Sequence, residues 1–210
     1  RIFSGAPEKI LYENKPHIGT DMLKTVVKNM RHEITEWGGE VRFRAKVTDF
    51  IINDGKIKAL VVNENEKLDC ETVVLAIGHS ARDTFEVLFR RGVYITQKPF
   101  SIGVRIEHLQ ETINMAQYGD VYNHPALGAA DYKLSYHSNN GRSAYTFCMC
   151  PGGYVVAAAS ESCGVVTNGM SEYRRNGENA NSALLVGVKP SDFGSPHPLA
   201  GVEFQRKWER

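Results

Sequence analysis

The stretch Thr72-Val-Val-Leu-Ala-Ile-Gly78 is the part of the sequence from which the fold is predicted. Its β-branched and aliphatic residues follow one another without polar alternation, which is typical of a strand buried on both faces inside a parallel α/β sheet. Gly78 then stands at the carboxyl end of that strand, where open α/β sheets bind ligands and where a residue without Cβ lets a cofactor approach the backbone. We therefore predict a ligand-binding crevice beside Gly78, followed by a helix that Ser80 and Asp83 cap.

A helix and a β-meander precede this stretch. Apolar residues recur at helical spacing over residues 20–37 and predict a helix with one buried face. Residues 41–47 alternate between apolar and basic side chains, which predicts a half-buried strand. The turn Asn53-Asp54-Gly55 predicts a hairpin over residues 50–62, and residues 67–70 add a short strand.

Beyond residue 94 the pattern changes to short apolar segments separated by turns rich in Gly, Asn and Ser. Such turns join neighbouring strands directly and predict an antiparallel sheet. A short helix is predicted over residues 108–118, and an exposed loop over residues 176–181. The predicted strands span residues 99–107, 131–136, 144–150, 154–159 and 183–188.

The composition favours small-molecule chemistry. The 210 residues include 25 basic and 24 acidic side chains, a balance that leaves neither the basic surface that nucleic acids bind nor a polybasic patch for membranes. No apolar run is as long as a bilayer span, and residues 1–5 lack the apolar core of a signal peptide. The cysteines, Cys70, Cys148, Cys150 and Cys163, are too few and too unevenly spaced for a secreted disulfide scaffold. We expect a cytoplasmic protein with reduced cysteines and no nucleic-acid or membrane partner.

The order of the first elements resembles the middle of the two-dinucleotide-fold flavoproteins. In that superfamily a helix and a strand ending in Val precede a meander, and a strand with an Ala-Thr-Gly type turn then returns to the FAD-binding domain. The resemblance implies that the backbone of Val47 contacts the adenine, and that Ala76 and Gly78 pass near the FAD pyrophosphate or adenosine. By their position after this turn, His79 would face the same crevice and Arg82 would reach a phosphate.

Several longer phrases point to one family. They are KPHIGTD (residues 15–21), VVLAIGHSARDTFE (73–86), QKPFSIGVRIEHLQ (97–110), GRSAYTFCMCPGGYVV (141–156) and HPLAGVEFQRKWE (197–209). With these phrases the chain resembles the bacterial FAD-dependent proteins described as NAD(FAD)-utilising dehydrogenases. The resemblance implies an FAD-dependent oxidoreductase with a small-molecule substrate and with NAD(P)H as a candidate electron donor. In such an enzyme the flavin carries the hydride, and the protein binds and orients the reactants.

The same resemblance implies how the chain is divided into domains. A protein of this kind opens with a strand, a G-x-G-x-x-G turn and a helix that hold the FAD pyrophosphate, and this sequence contains no such turn. We therefore expect an internal part of a longer flavoprotein, inactive alone, whose partners are the remainder of the parent chain and a substrate. Residues 1–94 would form a partial FAD-binding domain, residues 95–199 an inserted β-rich substrate domain and residues 200–210 the start of a return helix. The predicted fold class is α+β, combining part of an α/β FAD-binding domain and its β-meander with an antiparallel domain.

Two cysteines in the β-rich part are candidate substrate-side residues. Cys148 and Cys150 would face the same side of a predicted strand, where they could form a redox pair, supply half of a metal site or serve as structural cysteines. Neighbouring cysteines on one strand make a strained disulfide, and no second Cys/His pair has zinc spacing. The structural role is therefore favoured, and no metal site is predicted.

Polar side chains of the same part offer substrate binding and acid–base chemistry. Arg105 and Arg142 would hold an anionic substrate or remain solvated surface charges. His137 is the favoured acid–base candidate because it titrates near neutrality and neighbours a Tyr, with a hydrogen-bonded structural role as the alternative.

Two other function classes stay open at this point. A non-enzymatic nucleotide- or ligand-binding module would use the same crevice without redox turnover. An RNA-binding flavoprotein would need a basic face, which this near-neutral sequence does not supply.

Overall fold

The computed structural model describes residues 4–210, and within that range the chain has a mixed α+β fold with three antiparallel sheets. Residues 1–3, part of the segment predicted to lack a signal peptide, lie outside the described range. The α-helices are α1 (Thr20–Glu36), α2 (Arg82–Arg90), α3 (Gln110–Tyr118) and α4 (Ala200–Glu209). The strands are β1 (Val47–Asn53), β2 (Lys56–Val62), β3 (Glu66–Asp69), β4 (Phe100–Leu109), β5 (Ser135–His137), β6 (Ser143–Cys150), β7 (Gly153–Ala157), β8 (Thr167–Ser171) and β9 (Asn179–Val188).

The chain divides into two compact units. The first consists of residues 1–41 and 100–188, and the second of residues 42–99 and 189–210. The predicted domain boundaries after residues 94 and 199 concern a longer parent protein and stay a prediction.

A four-stranded sheet organises the first unit, in the order β4-β9-β6-β5. All its pairs are antiparallel, as the turn-rich sequence predicts, and β9 is central with β4 paired along ten residues, from Phe100 opposite Val188 to Leu109 opposite Asn179. A separate hairpin of β7 and β8 accompanies this sheet. Sequence reasoning missed β8, because its residues Thr167–Ser171 combine Thr, Asn, Gly and Ser and lack an apolar run.

The second unit is built on the β1-β2-β3 meander, with α2 packed against β1. The predicted hairpin is confirmed: Asn53 pairs with Lys56, and the two residues between them, Asp54 and Gly55, have φ angles of +48° and +70°. Positive φ at both positions is the signature of a type I′ turn, which suits the twist of the flanking strands. The strand predicted over residues 41–47 is wrong, since β1 begins only at Val47.

The stretch from which the fold was predicted is not a strand. Residues 72–78 join no sheet, and most of their side chains lie at the surface, with Val74 85% exposed. A strand exists only where a neighbour takes its backbone hydrogen bonds, and the meander of this unit ends at β3. The helix predicted after this stretch is confirmed as α2, although Ala81 precedes it and no side chain caps it.

Helix α1 forms where periodicity predicts it, but its apolar face is open. Val26 is buried, whereas four residues at helical spacing are 40% exposed or more. They are Leu23, Val27, Met30 and Ile34. The prediction of a buried face is therefore wrong for this chain. The loop predicted over residues 176–181 is wrong in its second half, because β9 begins at Asn179 and Asn181 is fully buried.

Candidate functional site

A β-bulge in β6 positions the two cysteines. Phe147 pairs with Ala183 and Cys150 pairs with Asn181, so three steps along β6 match two steps along β9. Cys148 lies at this irregularity with a φ angle of +48°, a left-handed conformation that is uncommon for a residue with a side chain. The bulge breaks the simple alternation of the strand. As a result Cys148 is exposed while Cys150 is buried.

An arginine from β4 connects the bulge to β9. Arg105 Nη1 donates a hydrogen bond to Asn181 Oδ1 at 2.7 Å and another to the Cys148 carbonyl oxygen at 3.3 Å. Cys150 Sγ donates to the same carbonyl at 3.3 Å. We call the residues Arg105, Cys148, Cys150 and Asn181 the Arg105 cluster.

The Arg105 cluster holds polar atoms that lack partners. Arg105 Nε and Asn181 Nδ2 are buried, and neither has a hydrogen-bond partner among residues 4–210. A buried donor left unpaired costs about 1–3 kcal/mol, so native structures retain few of them. These two donors are thus buried and unpaired within the described residues.

The pKa of one thiol is shifted by this environment. Burial raises the pKa of Cys150, and the neighbouring Cys148 thiol raises it further, while the Arg105 guanidinium opposes both effects. Cys150 is therefore a protonated thiol at neutral pH. The Cys148 thiol, in contrast, is solvent-exposed.

A groove of about 290 Å³ opens beside Cys148, and we call it the Tyr132 groove. It contains two lysines, one of which, Lys15, donates to Asp131 Oδ2 at 2.8 Å. Its lining residues are Lys15, Asp131, Tyr132, Lys133, Thr146, Phe147, Cys148 and Met149. The groove thus combines a thiol, a phenol and two ammonium groups.

Tyr132 is hydrogen-bonded to a histidine that sequence reasoning missed. The His108 ring meets the Tyr132 ring edge-on at 5.5 Å. His108 Nδ1 lies 2.8 Å from the Ala180 carbonyl oxygen, which can only accept, so this nitrogen carries the proton. In the neutral imidazole, His108 Nε2 then accepts from the Tyr132 hydroxyl, 2.9 Å away. No sequence signal identifies the pair, because the two residues are 24 positions apart and meet only through the fold.

The structure does not bring His137 and Arg142 to this groove. Both belong to the β5–β6 hairpin, where His137 Nδ1 lies 2.7 Å from Ser143 Oγ and Arg142 Nη1 donates to the Gly187 carbonyl at 3.1 Å. Arg142 precedes Cys148 by six residues, which is about 20 Å along an extended strand. Their predicted roles stay predictions.

A second, larger groove of about 400 Å³ is also cationic. His17 lies in the loop before α1 and donates from Nε2 to the Glu172 carbonyl at 2.9 Å. Lys9 lies over the Tyr173 ring at 4.4 Å, and Arg175 Nε is buried without a partner in the described part of the chain. Lys15 lines this groove as well as the Tyr132 groove.

The predicted FAD-side residues lie in the second unit. Val47 opens β1 and is half-buried opposite Val62. Ala76, Gly78 and His79 are exposed, and His79 Nδ1 lies 2.7 Å from Ser80 Oγ.

Arg82 is 8% exposed and already faces a carboxylate. Its Nη1 donates to Glu209 Oε2 at 2.8 Å, and its Nη2 donates to Gln205 Oε1 at 3.1 Å. In this chain the guanidinium thus ties α2 to α4.

Two other kinds of site are absent from the described residues. Within residues 4–210, no three His, Cys, Asp or Glu side chains are grouped so that they could hold a metal ion. None of the helices in that range is long and apolar enough to cross a membrane.

Comparison with known proteins places these residues in context. Residues 99–210 match the model of a family described as FAD-dependent protein, C-terminal domain-like. An uncharacterized protein of Clostridium beijerinckii (strain ATCC 51743 / NCIMB 8052) is 56% identical over 209 residues, which cover 99% of this chain and 39% of the relative. The chain thus spans about two fifths of that relative's length. The Arg105 cluster and Tyr132 lie inside the residues that match the family model.

Proposed function

This chain belongs to the FAD-dependent protein family whose C-terminal-domain-like region it matches, and we propose that it works as an internal part of a longer FAD-dependent oxidoreductase. In this proposal the second unit contacts the adenosine side of FAD and the first unit binds the substrate. FAD, when bound, supplies the hydride-transfer chemistry. The observation that carries the proposal is the Tyr132 groove beside the Arg105 cluster, whose lining residues other than Lys15 lie in the family-matched region.

The backbone around Gly78 fits a cofactor contact. Residues 72–78 are largely exposed and belong to no strand, so a ligand can reach their peptide groups. Gly78 has a φ of +71°, and no atom lies within 4 Å of the position that a Cβ would occupy. A flat or extended ligand can therefore approach this turn closely. Arg82 fits a phosphate contact only if it exchanges Glu209 for the phosphate.

The Tyr132 groove supplies the groups that a polar or anionic substrate requires. Lys15 and Lys133 provide positive charge, and the Tyr132 hydroxyl can give or take a proton. Because His108 Nε2 accepts the Tyr132 hydrogen bond, it can receive the phenol proton when Tyr132 acts as a base. We therefore assign the acid–base role to the Tyr132–His108 pair in this proposal, ahead of His137.

The open apolar face of α1 supports the proposal that a further part of a longer protein contacts this chain. Leu23, Val27, Met30 and Ile34 follow the i, i+4, i+7, i+11 spacing of a buried helix face. Soluble proteins rarely leave such a contiguous face in water. In the proposed parent this face packs against residues outside the present chain.

A chimera tests the FAD contact directly. The matching segment of the C. beijerinckii relative is replaced by this chain, and the FAD bound per protein is measured from the visible spectrum after purification without added flavin. We expect stoichiometric FAD in the chimera and clearly less bound FAD per protein in the Gly78→Val variant, since the branched side chain blocks the turn.

Gly141→Val is the matched control for that experiment. Gly141 also has a positive φ, +78°, with open space around it, but it lies in a turn of the first unit. The Gly141→Val substitution therefore causes similar backbone strain, and we expect it to leave the FAD content unchanged. Equal FAD loss in both variants would contradict the assigned contact. A chimera and a relative that both lack FAD, even after reconstitution, would leave the ligand-binding module as the better account.

A further inference from the structure

We propose that Cys148 and Cys150 are a redox pair that reduces low-molecular-weight disulfides bearing carboxylates, with Cys148 as the attacking thiol and Cys150 as the resolving thiol. This activity needs no flavin and is independent of the function proposed above. It reverses the structural role that the sequence favours for these cysteines. The reversal rests on the bulge in β6, which no spacing rule reveals.

The two thiols are arranged as an attacking and a resolving cysteine require. Cys148 is exposed at the Tyr132 groove, where a bulky disulfide can reach it. Cys150 is only 7% exposed and is shielded from external reagents. Burial suits a resolving thiol, because a second external disulfide cannot react with it before the mixed disulfide at Cys148 has formed.

The bulge brings the two cysteines together. On a regular strand the Cα atoms of residues i and i+2 are about 6.6 Å apart, close to the upper limit for a disulfide. Here Cys148 has a left-handed φ, and the strand bends at the extra residue. Cys150 Sγ donates to the Cys148 carbonyl oxygen at 3.3 Å, and the Cys148 thiol is itself a hydrogen-bonding neighbour of Cys150. Strained backbone of this kind concentrates at functional sites.

The surrounding charges favour an anionic reactant. Arg105 donates to the Cys148 carbonyl, and its guanidinium stabilises negative charge at Cys150. Lys15 and Lys133 line the groove into which Cys148 opens. Lys15 is already paired with Asp131, and the Lys133 ammonium group can attract a carboxylate of the reactant.

The reaction balances without a further oxidant. The Cys148 thiolate attacks one sulfur of the small disulfide RS–SR, forms a mixed disulfide and expels RS⁻, which takes up a proton. Cys150 then gives up its proton and attacks the Cys148 sulfur, which forms the Cys148–Cys150 disulfide and expels the second RS⁻. Two protein thiols and one RS–SR thus yield one protein disulfide and two RSH. Two electrons pass from the cysteines to the small disulfide.

The test follows thiol loss in the flavin-free chain with oxidised glutathione as the probe. The reduced protein carrying Cys70→Ser and Cys163→Ser is incubated with oxidised glutathione, and the products are identified by intact mass and by free-thiol count. We expect both remaining thiols to disappear together and the protein to lose the mass of two hydrogens. A mixed disulfide should accumulate only in the further variant Cys150→Ala, which retains Cys148.

The variant Cys148→Ser, in the same background, separates attack from resolution. We expect its rate of modification to fall about tenfold or more, since the remaining thiol is buried and mainly protonated. Circular dichroism of each variant verifies that the fold is kept. The proposal is overturned if both thiols survive oxidised glutathione, if Cys150 alone reacts as fast as Cys148 alone, or if two glutathiones add without an internal disulfide. Because no flavin is present, each result is independent of the FAD-binding experiment.

Discussion

At the scale of single residues, Gly169 shows how tightly the Arg105 cluster is packed. A Cβ at this position of β8 would lie 2.2 Å from Asn181 Oδ1, 2.4 Å from Arg105 Nη1 and 2.8 Å from Cys150 Sγ. Real Cβ atoms do not approach other atoms so closely, so the cluster is possible only with glycine here. The constraint is one of space, since no unusual φ accompanies it.

We therefore predict that Gly169→Ala destabilises the first unit by about 1–3 kcal/mol, the usual cost of overpacking. The free energy of unfolding is measured by urea titration. Gly187→Ala is the matched control, because Gly187 also lies in a strand and no atom stands within 4 Å of its added Cβ. Equal effects of the two substitutions would show that the cluster is not packed as described.

At the scale of secondary-structure elements, an ion pair joins β1 to the end of α2. Arg91 Nε donates to Asp49 Oδ1 at 2.7 Å, and Arg91 Nη2 donates to Oδ2. The hydrogen bonds from the Arg91 guanidinium are the main reason why the pKa of Asp49 is lowered to about 2. Because the pKa in the folded chain lies below the unfolded value near 4, the pair stabilises the fold above pH 4. The stabilisation is lost as the pH falls from about 4 to 2.

We predict that Arg91→Gln lowers the free energy of unfolding by about 0.5–1 kcal/mol at pH 7, the scale of a partly exposed pair. The difference between the wild-type chain and the variant should shrink steadily as the pH falls from 4 to 2 and should vanish below pH 2. Lys56→Gln removes the same charge at the hairpin, where none of the described residues forms an ion pair with it, and should show no such trend. A difference that stays constant between pH 7 and pH 2 would disprove the role of Asp49.

The sequence predicts well those elements that depend on residues close together in the chain. Asp54 and Gly55 specify their turn by their own φ preferences. Helix α1 follows from apolar spacing and α2 from the residues after Gly78, and both lie within a few residues of their predicted positions. The strand predicted over residues 72–78 does not form, because a buried strand depends on neighbouring strands that local composition cannot supply. The Arg105 cluster was only partly predictable for a related reason. Arg105 and Asn181 are 76 residues apart and meet through sheet register, and the bulge at Cys148 has no sequence signature.

At the scale of the whole molecule, the chain exposes far more surface than a compact protein of its mass. Its accessible surface is 14,941 Å², whereas a compact protein of 23.4 kDa exposes about 9,700 Å². Two separate compact proteins with the masses of the two units would together expose about 11,700 Å². The excess therefore does not depend on how the units are arranged. It agrees with a chain that spans 39% of its relative and leaves one face of α1 and residues 72–77 uncovered.

If this chain is part of an FAD-dependent protein, the longer relative should carry the cofactor, and its FAD content can be measured. The C. beijerinckii relative and this chain are purified side by side without added flavin, and their visible spectra and FAD content are recorded. We predict about one FAD per molecule in the longer relative and essentially none in the present chain. A relative that is colourless and takes up no FAD on reconstitution would contradict the account.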